Sequence, residues 1–191
     1  MWLLLLACTS QDKVPYFDGC GACDPDELKW VAEVIDGDTV RFEGDEESTR
    51  LLGIDTPEVF TDSSIPECYG AEASDFMKDL LPPGTQVLLR FDTDDNLVDV
   101  VGRNLAYVNV ALDLEDREQP IFNSSTDWAL SDSEFVEKVH VNRELLVKGY
   151  ASLIEEDDFI EGLRYEETLR NAQDLAIENG AGLWLACEES Q

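Results

Sequence analysis

The chain has few basic residues. Its 191 residues include 13 Lys and Arg against 43 Asp and Glu, which gives a formal net charge of −30. A balance this acidic argues against non-specific adhesion to DNA or anionic lipid through a basic face. The apolar content of 43%, with four Trp and eight Phe, also excludes a disordered acidic chain. We therefore expect one folded domain whose excess acid forms a solvated surface.

Histidine is nearly absent. The single histidine, His140, lies outside every motif described below. A histidine general base and a histidine-ligated metal are therefore not expected. We expect His140 to be a surface residue.

Long hydrophobic runs are also missing. The apolar run "MWLLLLAC", residues 1–8, is too short to span a bilayer, which takes about 20 residues. Its end, residues 5–8, resembles the lipobox of bacterial lipoproteins, in which Cys8 becomes the lipid-carrying first residue, although the usual basic n-region is missing. We expect a lipoprotein-type signal over residues 1–8, a polar tether over residues 9–27, and a bacterial protein that is exported, either secreted or held at the cell envelope. Membrane contact would be through the lipid on Cys8 only. The alternative is a frayed apolar N-terminus.

The chain has five cysteines, four of which remain if Cys8 is acylated. An even number in an exported protein favours two disulfides, and we predict the pairs Cys20–Cys23 and Cys68–Cys187. The alternative, a zinc site of four cysteines, needs two well-spaced pairs. Only Cys20 and Cys23 are paired in that way.

Short strand-like runs and helical patterns begin at Leu28. The runs "KWVAEVI", "DTVRFEG" and "TRLLGID" predict three successive strands, and "TQVLLRF" and "RNLAYVNV" predict two more. Apolar residues from Ala73 to Leu81 recur at helical spacing and stop at Pro82. Asn142 is the expected N-cap of a second helix. A third helix should end at Asn179-Gly180.

The order β-β-β-α-β-β-α-α predicts an α+β fold: a five-stranded OB-type β-barrel with three helices over residues 28–187. Residues 111–140 form an acidic insertion before the second helix, and we expect a surface loop there.

Carboxylates cluster at the ends of the predicted strands. Asp38 follows a tight turn, and Asp55 ends the third strand, so that Asp55, Glu58 and the Thr56 carbonyl can face one space. Carboxylates this close repel one another unless a cation lies among them, and all-oxygen ligation selects Ca²⁺ or Mg²⁺. For Asp36 we expect only an Asx-type turn hydrogen bond.

Six sequence blocks carry a family resemblance. In order they are "VIDGDTVRF", "RLLGIDTPE", "CYGAEASDF", "GRNLAYV", "VNRELLVKGYA" and "GLW". This order and spacing, over roughly residues 29–185, resembles the staphylococcal nuclease-like (thermonuclease) domains. The resemblance implies a calcium-dependent phosphodiesterase, an endonuclease that hydrolyses DNA, RNA or both, acting as a monomer.

The resemblance also implies roles for individual residues. Ca²⁺ would be held by Asp38, Asp55 and the Thr56 carbonyl, and Glu58 would be the general base. Arg50 and Arg103 would clamp the phosphate, a task that suits the rigid guanidinium fork.

One geometric condition accompanies these roles. Strict alternation places Arg50 and Asp55 on opposite faces of their strand. A bulge or a turning strand end is therefore needed to bring both to the site.

The sequence departs from the resembled family around the nucleotide pocket. Val100 and Val101 replace a polar Lys-Tyr pair, and Glu155 and Asp157 fall where two tyrosines are expected. Two other hypotheses therefore stay open: a non-catalytic OB-fold module that binds nucleic acid or another ligand, and a calcium-responsive envelope lipoprotein. The complete set of Arg50, Arg103 and the carboxylates favours the enzyme.

Overall fold

The described part of the chain contains nine strands and four helices. The computed structural model describes residues 27–59, 66–92, 97–113, 136–154 and 159–187. The strands are β1 Glu27–Val34, β2 Thr39–Phe42, β3 Thr49–Leu51, β4 Ile54–Asp55, β5 Gln86–Arg90, β6 Leu97–Val98, β7 Asn104–Asp113, β8 Val136–His140 and β9 Ser152–Leu153. The helices are α1 Gly70–Leu80, α2 Val141–Val147, α3 Glu166–Glu178 and α4 Leu183–Ala186.

Several predictions concern parts of the chain outside these ranges. They are the signal segment with Cys8, almost all of the tether, the Cys20–Cys23 pair, and the pocket substitutions Glu155 and Asp157. Among the described residues, none of the helices combines the length and apolar character needed to cross a bilayer.

Five strands close into a barrel. β1 pairs with β2, β2 with β3, and β5 with both β1 and β7, all antiparallel. A parallel pairing of β3 with β7 closes the circuit. β1 can pair with both β2 and β5 because its register with β2 shifts between Val31 and Glu33, and this irregularity bends the strand. The predicted α+β fold with an OB-type barrel is confirmed.

Alternating side chains fill the barrel. In β2 the side chains of Val40 and Phe42 are buried, and in β5 those of Val87 and Leu89 are, while Leu88 between them is only partly covered. The strands thus follow the period of two that the sequence pattern predicted.

The predicted helices are also confirmed in their main features. α1 buries Ala73, Met77 and Leu80 at helical spacing and ends just before Pro82. α3 buries Leu169 and two alanines on one face and is followed by Asn179 at its C-terminus.

The prediction of a surface loop over residues 111–140 is wrong at both ends. β7 continues to Asp113, and β8, residues 136–140, pairs with it antiparallel, with Val110 opposite Val139. The side chain of Val139 is buried. The apolar residues at the C-terminal end of the segment therefore belong to the sheet, and residues 114–135 between them lie outside the described ranges.

The prediction that His140 lies on the surface is also wrong. Its side chain is buried against the rings of Tyr107 and Tyr165, with ring-centroid distances of 5.6 and 5.0 Å. Burial lowers the pKa of His140 to about 3, so the imidazole is neutral at physiological pH. Its Nδ1 accepts the N–H of Arg143 at 3.2 Å and caps α2.

Asn142, the expected N-cap, is instead the second residue of α2, and its buried side chain bridges other parts of the fold. Its Oδ1 accepts the N–H of Val108 in β7 at 3.0 Å, and its Nδ2 donates to the carbonyl of Leu52 at 3.0 Å. Leu52 belongs to the turn between β3 and β4. One side chain therefore joins α2, the barrel and that turn.

The predicted Cys68–Cys187 disulfide is confirmed. It links the residues on the N-terminal side of α1 and the C-terminal side of α4 across a sequence separation of 119. In the chain-entropy account a loop of on the order of 100 residues stabilises the fold by about 4 to 5 kcal/mol.

We expect Asn142→Ala to lower the free energy of unfolding by about 2 to 4 kcal/mol, because it leaves the Val108 N–H and the Leu52 carbonyl buried without this partner. Urea denaturation followed by circular dichroism measures the change. Asn171→Ala on the exposed face of α3 is the control and should be neutral or slightly stabilising, since alanine favours helices. A loss below about 0.5 kcal/mol for Asn142→Ala would contradict the bridging role.

Candidate active site

The site is built around a buried carboxylate, that of Asp38. Its side chain is 5% exposed and accepts hydrogen bonds from the Thr39 hydroxyl at 2.9 Å and the Thr56 N–H at 3.1 Å. Arg50 Nη2 lies 3.2 Å from the same oxygen that accepts from Thr56. The Asp38 carbonyl also accepts the N–H of Leu51 at 2.8 Å. The start of β2 is thereby tied to the ends of β3 and β4.

The turn before Asp38 explains the Asp-Gly-Asp sequence. Asp36 accepts the backbone N–H of Asp38 at 3.1 Å, which confirms the predicted Asx-type hydrogen bond. Gly37 packs directly on Thr56, and a Cβ at this position would lie 2.6 Å from the Thr56 hydroxyl oxygen. Glycine is therefore needed for the turn to approach the strand end.

A turn at Leu52-Gly53 brings Arg50 and Asp55 together. β3 ends at Leu51, Gly53 has φ of 83°, and β4 begins at Ile54. The chain therefore changes direction between Arg50 and Asp55, as the alternation argument required. Arg50 Nη2 pairs with Asp55 as well as with Asp38.

The two carboxylates that share Arg50 lie in different environments. The Asp55 side chain is 53% exposed, whereas that of Asp38 is almost fully covered. Burial raises the pKa of Asp38 to about 6, with Arg50 acting in the opposite direction and Asp36 adding to the rise. Burial alone would lower the pKa of Arg50, but the charges of Asp38 and Asp55 raise it.

Glu58 lies beside this cluster on the exposed side. Partial burial, followed by the charges of Asp36 and Asp55, raises the pKa of Glu58. Its backbone is paired in both directions with Glu67: the Glu58 N–H donates to the Glu67 carboxylate at 3.0 Å, and the Glu67 N–H donates to the Glu58 carbonyl at 2.8 Å. The proposed base thus has a fixed backbone and an accessible side chain.

Arg103 lies in the turn between β6 and β7, directly before the strand that pairs with β3. It precedes Asn104, which pairs with Thr49 next to Arg50. Its ion pair is with Asp99, whose carboxylate accepts Arg103 Nε at 2.6 Å and the Arg103 backbone N–H at 2.9 Å. Burial acts to raise the pKa of Asp99, but these hydrogen bonds, with one from the Val101 N–H and the charge of Arg103, together lower it.

The structure therefore brings together Asp38, Arg50, Asp55 and Thr56 and places Glu58 beside them. Arg103 lies directly before β7, the strand that pairs with β3. Sequence reasoning missed Asp99 and Glu67. Asp99 had a weak signal, since an Asp four residues before an Arg at a Gly-containing turn is typical of Asx turns. Glu67 had none.

The residues near Arg50 fit a hard cation by their chemistry. The side chains of Asp38 and Asp55 offer only oxygen ligands, as Ca²⁺ prefers, and both carboxylates pair with the same atom, Arg50 Nη2. Across the described ranges, no group of three or more Asp, Glu, His or Cys side chains is arranged to hold a metal ion. A cation would therefore rely on these two carboxylates together with backbone carbonyls and water.

Comparison with known proteins points to one family. Residues 48–186 match the family described as staphylococcal nuclease homologues. The chain is 38% identical over 95 residues to a thermonuclease of Staphylococcus hyicus, which covers 48% of this chain and 54% of that protein. It is 29% identical over 172 residues to an uncharacterised protein of Methanocaldococcus jannaschii, with 81% and 70% covered.

It is also 41% identical over 78 residues to the endonuclease YncB of Bacillus subtilis, with 40% and 36% covered. The chain thus spans about half the length of the staphylococcal thermonucleases that it matches.

We expect Asp38→Asn to stabilise the fold at pH 8. The folded-state pKa of Asp38, about 6, exceeds its ordinary value of 3.8. Its contribution to stability is therefore complete below pH 3.8 and lost as the pH rises through 6. The amide oxygen can still accept from Thr56 and Arg50, and the amide NH₂ can donate to the Thr39 hydroxyl.

The expected gain is on the order of 1 to 3 kcal/mol at pH 8 and near zero at pH 4. Urea denaturation at the two pH values, with chelator present, measures it. Asp79→Asn on the exposed face of α1 is the control and should change little at either pH. A variant less stable than the wild type at pH 8 would contradict the expectation.

Proposed function

The chain belongs to the staphylococcal nuclease homologue family, and from this premise we propose that it is a nuclease that hydrolyses phosphodiester bonds in DNA, RNA or both. The observation that carries the proposal is the ion-paired group of Arg50 with Asp38 and Asp55, with Glu58 beside it. The names of its relatives, thermonuclease and endonuclease, agree with this function.

We assign the role of general base to Glu58. Its pKa is raised by partial burial and by neighbouring carboxylates, which makes it a stronger acceptor for the proton of an attacking water. Its side chain is exposed, so water and substrate can reach it. The proton removed from water would rest on a Glu58 carboxylate oxygen.

Arg50 and Arg103 are the proposed phosphate clamp. Phosphoryl transfer needs positive charge around the equatorial oxygens of the phosphate. Arg50 Nη2 already pairs with two carboxylates, and a phosphate would add a further acceptor for the guanidinium. Asp99 engages Nε of Arg103, so a phosphate would meet the Nη edge of that guanidinium.

Calcium is the proposed cofactor, with Asp38, Asp55 and the Thr56 carbonyl as its ligands. When bound, it would supply Lewis-acid stabilisation of charge on the phosphate oxygens. Burial raises the pKa of Asp38, and a bound cation would favour its ionised form.

A second candidate function is that of a non-catalytic module, which would bind nucleic acid or another ligand without cleaving it. It is favoured by the turn between β6 and β7, where Val100 and Val101 are exposed beside Arg103, in place of the polar pair that the resemblance leads us to expect. The net charge of −30 also disfavours a polyanionic substrate. Cleavage assays on plasmid, single-stranded DNA and RNA decide between the two.

The remaining expectations about location and organisation stand as proposals. We infer a nuclease domain over residues 28–187 that acts as a monomer, exported and either free or lipid-anchored through Cys8. The Cys68–Cys187 disulfide supports an oxidising compartment.

We expect Glu58→Gln to lower kcat by about 10² to 10⁴, because glutamine cannot accept the proton. Initial rates on the three substrates, with calcium or with a chelator, measure the effect. Glu72→Gln in the first turn of α1 removes a carboxylate that is not part of the proposed site, and this control should keep the wild-type rate. The thermal midpoint and calcium affinity of Glu58→Gln should stay close to the wild type. A loss below tenfold would move the role of base elsewhere.

We expect kcat/KM at saturating calcium to rise first as monovalent salt increases. At about 10 mM salt the Debye length is about 30 Å, and the whole acidic surface repels the substrate; at physiological salt it is about 8 Å, and the arginines and calcium dominate. Ordinary nucleic-acid binders lose affinity steadily as salt rises. A steady fall from the lowest salt upward would mean that the basic residues gather into a substrate-facing patch.

A further inference from the structure

The segment from Glu67 to Gly70 lies against the backbone of Glu58. Besides the two Glu58–Glu67 hydrogen bonds, a Cβ on Gly70 would lie 2.7 Å from the Glu58 carbonyl oxygen and 2.8 Å from that of Pro57. Backbones packed this closely cannot shift independently. The position of Glu67 therefore sets the position of Glu58.

A covalent link holds this segment. Cys68, adjacent to Glu67, is bonded to Cys187 directly after α4. The N–H of Leu183 in α4 donates in turn to the Gly149 carbonyl after α2 at 2.8 Å. The disulfide thus connects the neighbour of Glu67 to the helical part of the domain.

One further contact holds the segment without the disulfide. The ring of Tyr69 stacks on Tyr150, with a centroid distance of 5.5 Å. An aromatic pair contributes about 0.5 to 1.5 kcal/mol beyond its buried area, which is less than a disulfide across a long loop supplies. Without the disulfide, this stacking and the Glu58–Glu67 hydrogen bonds would leave the segment more mobile.

We propose that Glu67, held by the Cys68–Cys187 disulfide, is a positioning residue for Glu58, and that reduction of this disulfide lowers the rate of the chemical step. The inference rests on the proposed nuclease function. It adds a dependence of the cleavage rate on the redox state of the disulfide, because Cys68 is adjacent to Glu67.

The reduction can proceed by ordinary thiol exchange with a dithiol. Cys68 is exposed, so a reductant thiolate can attack its sulfur, breaking the protein disulfide and releasing Cys187 as a thiolate. The second reductant thiol then displaces Cys68. The reductant gains an S–S bond and loses two electrons and two protons, and the protein ends with two thiols.

Substitutions of Glu67 test the positioning role with the bridge intact. We expect Glu67→Ala to lower kcat about tenfold with KM changed less than about threefold, since a displacement of 1 Å can cost up to about 10² in rate. Glu67→Gln should recover kcat to within about threefold of the wild type, because its amide oxygen still accepts from the Glu58 N–H. Glu72→Ala, which removes the same charge from the first turn of α1, should keep the wild-type kcat.

Reduction tests the role of the disulfide. The wild type treated with dithiothreitol should lose kcat about tenfold and regain it on reoxidation, at a temperature where near-ultraviolet circular dichroism shows the fold intact. The double variant Cys68→Ser with Cys187→Ser should have the lower rate and no response to the reductant. If reduction unfolds the chain, the Glu67 variants decide, because they keep the disulfide.

The outcomes separate this inference from the proposed function. A wild type that cleaves no substrate with calcium would overturn the nuclease assignment. A wild type that cleaves and is stopped by Glu58→Gln, but keeps its kcat in Glu67→Ala or in the reduced folded form, would overturn the positioning inference alone.

Discussion

The arrangement of the site depends on the burial of one carboxylate, that of Asp38. A buried charge must be paired and hydrogen-bonded, or it is expelled or neutralised. Asp38 meets this condition through the Thr39 hydroxyl, the Thr56 N–H and the guanidinium of Arg50. These partners lie in β2, in β3 and directly after β4. The contacts of the Asp38 side chain therefore hold these three parts of the chain in a fixed relative orientation. The exposed residues Asp55 and Glu58 lie on the solvent side of this buried cluster.

The turn at Leu52-Gly53 connects the site to the barrel. That turn is held from inside by Asn142, which donates to the Leu52 carbonyl, and by the Leu52 N–H, which donates to Ala106 in β7. The position of Asp55, in β4 after this turn, therefore depends on α2 and the barrel wall. Loops that carry function are usually positioned by a scaffold in this way.

The fold and the central ion pairs could be predicted because both are encoded in local patterns. Period-two strands and one-faced helices leave a signal within ten residues, and Asp38, Arg50 and Asp55 stand at strand ends that such patterns locate. The roles of His140 and Asn142 could not be predicted. The partners of Asn142 lie 34 and 90 residues away, and burial of a polar side chain depends on what packs over it. Likewise the pairing of Glu58 with Glu67 spans a segment whose sequence has no period.

The disulfide and the buried carboxylate act on stability in opposite directions. Keeping Asp38 ionised, with its pKa raised by burial, costs the folded state on the order of 1 to 3 kcal/mol above pH 6. Closing a loop of more than 100 residues contributes about 4 to 5 kcal/mol, which exceeds that cost. An unfavourable electrostatic arrangement persists only where the surrounding structure over-determines it. The disulfide is attached at Cys68, next to Glu67, whose carboxylate accepts the Glu58 N–H. The bond that supports the fold therefore adjoins the segment that packs on the backbone of Glu58.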